Sequence, residues 1–235
     1  MSAAPVSPPS PSPAIQSPAA PRTYRFSTLF TGLGRMWRAW RITLPIIVVN
    51  ALVQGLLILP TQSAYSLWTL TVTALASAVV LLATFGVMVA AALESHPPAR
   101  PTWEHVRERL AAAWLPFAGW TAALFVVTAI GLAFWTWPGM IVLAIGLFVP
   151  LCALDRTSPV SSSWKIMRQR PLRWLITVVL ILAMGSLAFL LTAVLWFFVP
   201  LYVGVALGCL FWGLLVWWWS TSLAALYLDV VRRSD

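Results

Sequence analysis

Residues 174–228 read WLITVVLILAMGSLAFLLTAVLWFFVPLYVGVALGCLFWGLLVWWWSTSLAALYL and contain no charged side chain. An α-helix needs about 20 apolar residues to cross the roughly 30 Å hydrocarbon core of a bilayer. The stretch is long enough for two such helices, and Pro200 marks a tight turn between them. This part of the chain therefore predicts a membrane-spanning helical hairpin.

The same pattern occurs twice more in the chain. Residues 42–93 and 110–154 also lack Asp, Glu, Lys and Arg, and each is long enough for two crossings. Of the 235 residues, 60% are hydrophobic and 9% are charged, which is too little polar surface to cover a soluble globule. We therefore predict an all-α polytopic membrane protein with six transmembrane helices arranged as three hairpins.

The chain divides into two parts by composition. Residues 1–22 are rich in Pro, Ser and Ala and cannot bury enough apolar area to offset the entropy of ordering. We expect them to form a disordered cytoplasmic tail, with residues 23–235 forming the transmembrane domain. A ligand for a proline-recognising domain is the alternative for the tail.

The distribution of basic residues predicts the orientation. All fifteen Lys and Arg residues lie in the N-terminal segment, in residues 94–109, in residues 155–173 or in the C-terminal tail, whereas the short connections between paired spans have none. The positive-inside rule then places both termini in the cytoplasm. The net charge of +9 forms a collar for anionic lipid headgroups, each basic residue contributing about 1 kcal/mol, rather than a surface for nucleic acid.

Three basic amphipathic segments precede the hairpins. From Tyr24 to Arg41, apolar residues recur every three or four positions, which predicts a helix that lies on the membrane and does not cross it. Similar helices are predicted to begin at Thr102, which can cap the N-terminus, and at Ser158, which is followed by Pro159. Several tryptophans in or beside these segments predict an aromatic belt at this membrane surface.

The three units form a weak internal repeat. Each odd-numbered span has a proline that we place in its first turn, namely Pro45, Pro116 and Pro171. Each even-numbered span ends at an acid, where the helix dipole disfavours negative charge by about 0.3 to 1 kcal/mol. We therefore predict a ring of interfacial ion pairs. Its members are Glu94, Asp155, Asp229, Arg156, Arg173, Arg232 and Arg233.

The acids of this ring have a second interpretation. They could instead recognise a cation, a lipid amine or the basic segment of a partner protein. The first interpretation makes them structural residues, and the second makes them binding residues.

The predicted spans contain two amide side chains. Asn50 and Gln54 are four positions apart and share one face of the first span, where amides either bond a neighbouring helix or line a substrate path. Gly204 and Gly208 form a GxxxG motif that predicts close helix packing, either within the chain or between two copies.

The fourth span is irregular in sequence. Counted from Met140 to Leu154, it is short, and it contains Gly146 and Pro150. We expect it to be kinked, tilted or partly re-entrant.

Two segments resemble a known family. The stretch VPLCALDRTSPVSSSWKIMRQRPLRWL at residues 149–175 and the ending ALYLDVVRR at residues 225–233 are similar to bacterial six-span proteins typified by the membrane domain fused ahead of some glycerophosphodiester phosphodiesterases. The matching residues are Asp155, Ser163, Trp164, Tyr227, Asp229 and Arg232. The resemblance implies the plasma membrane of a bacterium and a stand-alone member without the catalytic domain, so no catalytic residue carries over.

The remaining reactive side chains predict no catalytic or metal site. His96 and His105 lack an HExxH motif or a cysteine pair nearby, and Cys152 and Cys209 lie in spans as small apolar residues. We expect no enzymatic activity, cofactor or metal. The leading hypothesis is a non-catalytic scaffold or accessory subunit that organises lipids or a membrane partner. The alternative is a small transporter or lipid translocase, which the repeated hairpins would suit.

Overall fold

The computed structural model describes residues 27–59, 66–95 and 100–231. The predicted tail at residues 1–22, His96, Arg232 and Arg233 lie outside the described residues.

Within the described ranges the chain is helical and has no β-strand. Its helices are α1 (Ser27–Leu57), α2 (Leu67–Glu94), α3 (Trp103–Phe134), α4 (Thr136–Ile145), α5 (Val149–Leu154), α6 (Pro159–Gln169), α7 (Pro171–Phe198) and α8 (Leu201–Val231), with a 3₁₀ turn at Gly146–Phe148. Six stretches are long and apolar enough to cross a membrane, and they are Thr31–Leu57, Leu67–Glu94, Trp103–Phe134, Thr136–Leu154, Pro171–Leu195 and Leu201–Val230. The chain is a multi-pass integral membrane protein, which confirms the predicted fold class.

The helices pack most closely at one end of the molecule. We call it the charged end, because Glu94, Arg109, Asp155 and Asp229 lie there. Helix α8 is central and packs against α1, α2 and α7, while α2 also contacts α3 and α5. The buried core includes most of the last two to three turns of α2, whereas no residue of α2 between 67 and 83 is buried. The three hairpins are therefore joined mainly near the charged end.

Helix α1 differs from its prediction. The segment from Tyr24 to Arg41 does not form a separate surface helix, because its described part continues without interruption through Pro45 into the first span. Its packing face consists of small and polar residues, including Gly32, Ala39 and Thr43, which are buried. A Cβ on Gly32 would lie 3.1 Å from the Cα of Ser222, so this face touches the backbone of α8. Of the apolar residues on the other face, Leu33, Trp37 and Trp40 are exposed and point outward.

Helix α3 combines a predicted surface helix with the third span. Thr102 caps it as predicted, since its Oγ1 accepts a hydrogen bond from the His105 backbone N–H at 3.4 Å. The helix bends at Ala113, where φ is −128° and ψ is 15°. The placement of Pro45 in the first turn of a span was wrong, because α1 runs through it without interruption. The placement of Pro116 is confirmed, because two helical parts meet at Ala113 and Pro116 lies in the first turn of the second part. Its missing N–H and its ring disturb the carbonyl of Ala112, four residues earlier.

The fourth span is interrupted as predicted. Helix α4 ends at Ile145, the 3₁₀ turn at Gly146–Phe148 follows, and α5 completes the span at Leu154. The span is longer than predicted, because it begins at Thr136 and has 19 residues. Pro138 does not prevent this start, since a first-turn residue of a helix needs no N–H partner within that helix.

Candidate functional site

One arginine joins two of the predicted acids at the charged end. The Arg109 Nε lies 2.7 Å from Oε1 of Glu94, and its Nη1 lies 3.2 Å from Oδ1 of Asp155. Glu94 ends α2, Arg109 belongs to α3, and Asp155 follows α5. The ion pair therefore connects the first hairpin to the second.

The third hairpin joins the same group through a tyrosine. The Tyr227 hydroxyl donates a hydrogen bond of 2.6 Å to the second carboxylate oxygen of Asp155, and Thr157 Oγ1 lies 3.4 Å from that hydroxyl. The Tyr227 side chain is fully buried in α8. We call Glu94, Arg109, Asp155, Thr157 and Tyr227 the ion-pair network. It links all three hairpins at one point.

A second ion pair lies within the third hairpin. The Arg173 Nη1 is 3.3 Å from Oδ2 of Asp229, so the start of α7 is held to the end of α8. This pair brings together two residues of the predicted ring. The other arginines proposed for that end, Arg232 and Arg233, lie outside the described residues.

Arg156 has a different role from the predicted one. Within the described ranges it forms no ion pair, and its Nη2 donates a hydrogen bond to the backbone carbonyl of Ala112. That carbonyl lies four residues before Pro116 and therefore lacks its usual intrahelical donor. The backbone geometry aims the side chain there, because Arg156 has a left-handed φ of 56°.

The same left-handed residue ends the fourth span. The Thr157 N–H bonds the Cys152 carbonyl at 3.0 Å, and the Arg156 N–H bonds the Ala153 carbonyl at 3.3 Å. This pair of bonds is a Schellman motif, in which glycine is the usual left-handed residue. The motif turns the chain sharply after Asp155 and so positions that acid beside Arg109.

Sequence reasoning missed Arg109, although the repeat contained a signal for it. Arg41, Arg109 and Arg173 are the last charged residues before the three odd-numbered spans, so they occupy equivalent positions. Arg109 and Arg173 each bind an acid that ends an even-numbered span. Arg41 is the exception, and its guanidinium carbon lies 5.9 Å from the centre of the Trp40 ring.

The network is suited to holding helices together. The guanidinium of Arg109 offers hydrogen-bond donors in a fixed planar fork and has no acceptor. Both carboxylates that contact it are engaged, and Asp155 accepts a further bond from Tyr227. The ion-paired side chains are 27 to 30% exposed, so water screens them only in part.

The amide face of the first span packs against its neighbour. Gln54 accepts a hydrogen bond of 2.6 Å from the Ser77 hydroxyl and donates one of 3.2 Å to the Ser77 carbonyl. Its Nε2 also lies 3.5 Å from Oδ1 of Asn50, and both amide side chains are buried. The amides therefore join α1 to α2, which is the first of the two predicted roles.

The GxxxG motif lies in a contact within the chain. A Cβ on Gly208 would lie 2.8 Å from Cγ2 of Thr192 in α7, and Gly204 is buried as well. The close approach that the motif predicts is thus made by α7 and α8 of the same molecule.

Two side chains donate hydrogen bonds to backbone carbonyls where the fourth span is interrupted. The Ser163 hydroxyl donates to the carbonyl of Ile145, and the Trp174 indole donates to the carbonyl of Ala144 at 3.2 Å. A 3₁₀ turn shifts the backbone donors that would serve these carbonyls in a regular helix. Ser163 lies on the buried face of α6, whereas Trp164 beside it is exposed. The sequence showed both residues but not which one pointed inward.

We expect Ser163→Ala to destabilise the protein by about 1 to 2 kcal/mol, because the partly buried carbonyl of Ile145 would lose its side-chain donor. The thermal unfolding midpoint, followed by size-exclusion chromatography in detergent, measures this. Ser161→Ala is the matched control on the same helix, because Ser161 is exposed and its hydroxyl bonds the nearby Ser158 carbonyl at 3.4 Å. Equal midpoints for the two variants would contradict the assigned role of Ser163.

Comparisons with known proteins do not place the chain in a family. Protein-family models, curated proteins and solved structures give no significant match. The resemblance at residues 149–175 and 225–233 therefore stays a prediction. Among the described residues, no group of three or more His, Cys, Asp or Glu side chains is arranged to hold a metal ion. Any function has to be argued from the geometry of the chain itself.

Proposed function

We propose that the protein is a non-catalytic membrane scaffold or accessory subunit that organises lipids or a membrane partner. In this proposal it lies in the plasma membrane of a bacterium with both termini in the cytoplasm, so the charged end is cytoplasmic. The support for this orientation is the complete absence of Lys and Arg from the connections at the other end.

The observation that carries the proposal is that the acids of the charged end are paired within the chain, whereas many basic side chains are exposed. Glu94, Asp155 and Asp229 are engaged by arginines of the same chain. Other basic side chains are exposed, among them Arg38, Arg41, Lys165 and Arg168. Internal pairing of the acids favours binding of anionic groups by the outer surface, since basic residues at an anionic leaflet are attracted to it.

Transport has less support from this geometry. A substrate path could use the two amides of the spans, but Asn50 and Gln54 are buried and bonded to α2 or to each other. The interrupted fourth span could have exposed carbonyls to a substrate, yet Ile145 and Ala144 bond Ser163 and Trp174. These contacts favour a closed structural core.

A reconstitution assay tests the absence of transport. We expect vesicles that contain the purified protein and a fluorescent phospholipid to move that lipid between leaflets no faster than protein-free vesicles. Dithionite quenching measures the rate, and a pH-sensitive dye inside the same vesicles measures proton leakage. Lipid movement or proton flow that rises with the amount of protein would reject the scaffold in favour of a transporter or translocase.

Cross-linking tests the scaffold directly. Lys165 is the only lysine in the chain, and it is exposed on α6. An amine-reactive cross-linker applied to native membranes should therefore give one defined adduct with a membrane protein or an aminolipid. Lys165→Arg keeps the charge but removes the amine, so it is the control that should abolish the adduct. An adduct that survives in Lys165→Arg would have to come from the N-terminus and would count against α6 as the contact surface.

A further inference from the structure

The outward face of α1 carries an aromatic and basic surface close to the membrane boundary. Its residues are Trp37, Arg38, Trp40 and Arg41, which we call the α1 patch. All four side chains are exposed, Trp37 at 77%. Gly32 and Ala39 on the opposite face are buried, so the packing of α1 against α8 keeps the patch directed away from the protein.

Three side chains of the patch contact one another. The rings of Trp37 and Trp40 stack with centroids 6.4 Å apart and planes 26° apart. The guanidinium of Arg41 lies over the Trp40 ring at 5.9 Å. A cation held against an indole keeps its N–H donors available to a second partner, and guanidinium groups suit phosphate because they can donate two parallel hydrogen bonds.

The position of the patch at the membrane boundary favours the phosphate of a lipid headgroup. Arg41 is the last charged residue before the uncharged stretch 42–93, so it lies where the hydrocarbon core gives way to headgroups. Exposed indoles are favoured at the same depth, because their rings can contact acyl chains while their N–H groups reach polar atoms. A phospholipid offers both contacts in one molecule.

The charge around the patch is uncompensated by acids of its own segment. No Asp or Glu precedes Glu94 in the chain, and Glu94 is bound to Arg109. The equivalent arginines of the other two repeats, Arg109 and Arg173, bind acids, whereas Arg41 stacks on Trp40. The arginine at this position is therefore exposed at the surface in the first repeat, whereas in the other two repeats it forms an ion pair within the chain.

The start of α3 offers a natural comparison. Trp103 and Arg107 are exposed there and resemble the α1 patch in residue type. Glu104 and Glu108 are exposed on the same segment, so its local charge is not positive. A ligand recognised only through tryptophan and arginine side chains would bind both segments, whereas a ligand recognised through its negative charge would bind α1 more tightly.

We propose that the α1 patch binds the headgroup of an anionic phospholipid, with Arg38 and Arg41 contacting the phosphate and Trp37 and Trp40 contacting the glycerol and upper acyl chains. This inference rests on the proposed function, of which it specifies the lipid class and the binding surface.

Native mass spectrometry of the full-length protein tests the site. Delipidated protein in detergent is incubated with phosphatidylglycerol or phosphatidylcholine of identical acyl chains, and the bound lipids are counted. The wild type should retain several-fold more phosphatidylglycerol. Because each basic residue at an anionic surface changes binding about fivefold, Arg38→Gln with Arg41→Gln should reduce phosphatidylglycerol binding to the level of phosphatidylcholine.

Three controls make the result specific. Arg107→Gln should keep the preference for phosphatidylglycerol, and Arg41→Lys should keep most of it. Trp37→Ala with Trp40→Ala should weaken both lipids together. Gel filtration checks that each variant folds, which we expect because every substituted side chain is exposed.

Three results would overturn the inference. The first is a double arginine variant that retains the wild-type preference, and the second is an Arg107→Gln variant that loses as much binding as the double variant. A wild type that binds both lipids equally would also reject the site, while the translocation and Lys165 assays would still decide the scaffold separately.

Discussion

Replacing Arg109 with Gln should destabilise the protein by about 2 to 4 kcal/mol. Glu94 and Asp155 share this guanidinium, so the substitution leaves two partly buried carboxylates without their common cation. Removing one partner of a buried ion pair typically costs more than the pair contributed, because the remaining charge stays desolvated. The loss for a fully buried pair is about 3 to 5 kcal/mol. Because these groups are partly exposed to water, we expect a somewhat smaller loss here. The thermal unfolding midpoint in detergent measures it.

Two further variants separate this explanation from a general effect of lost charge. Arg107→Gln lies two residues away on the exposed face of α3 and should change stability by less than about 0.5 kcal/mol. Adding Asp155→Asn to Arg109→Gln should recover part of the loss, since one of the two uncompensated carboxylates disappears. Equal destabilisation by Arg107→Gln and Arg109→Gln, or no recovery in the double variant, would contradict the shared role of Arg109.

The need for such an arginine could be predicted from the sequence, whereas its identity was indicated only by the equivalence of Arg109 and Arg173 in the repeat. Glu94, Asp155 and Asp229 end helices, and the dipole argument applies to each without any knowledge of the fold. The choice between Arg109 and Arg156 depends on how the second hairpin packs against the first. It also depends on the left-handed turn at Arg156, which directs that side chain to the Ala112 carbonyl. Neither feature has a local sequence signature.

The error in α1 has a related cause. The apolar periodicity correctly separated two faces of the segment from Tyr24 to Arg41. The apolar face was then taken as the sign of a separate surface helix. In a membrane the lipid-facing side of a helix is as apolar as a protein core, so small residues mark the packing side better. Gly32, Ala39 and Thr43 supplied that signal, and they continue without a break into the buried positions Ile47 and Asn50.

The outer turn of the second hairpin leads to the other prediction of large effect. We expect Gly131→Ala to cost about 2 to 3 kcal/mol, in the range of overpacking in a tight core. The added Cβ would lie 2.8 Å from both the N and the Cα of Gly139, and these backbone atoms cannot rotate away as a side chain would. The contact is reciprocal, because a Cβ on Gly139 would lie 2.6 Å from the backbone N of Leu132. Relief therefore requires α3 and α4 to separate.

Gly119→Ala is the matched control on the same helix. Among the described residues, no atom outside the neighbouring backbone of α3 lies within 4 Å of the position that its Cβ would take. The substitution should therefore leave stability unchanged or raise it by at most about 1 kcal/mol through helix propensity. Urea or detergent titrations of both variants should therefore give shifts in opposite directions or a shift in Gly131→Ala alone. If the two glycines tolerated alanine equally well, α3 and α4 would have room between their backbones, and the close packing of this hairpin would be refuted.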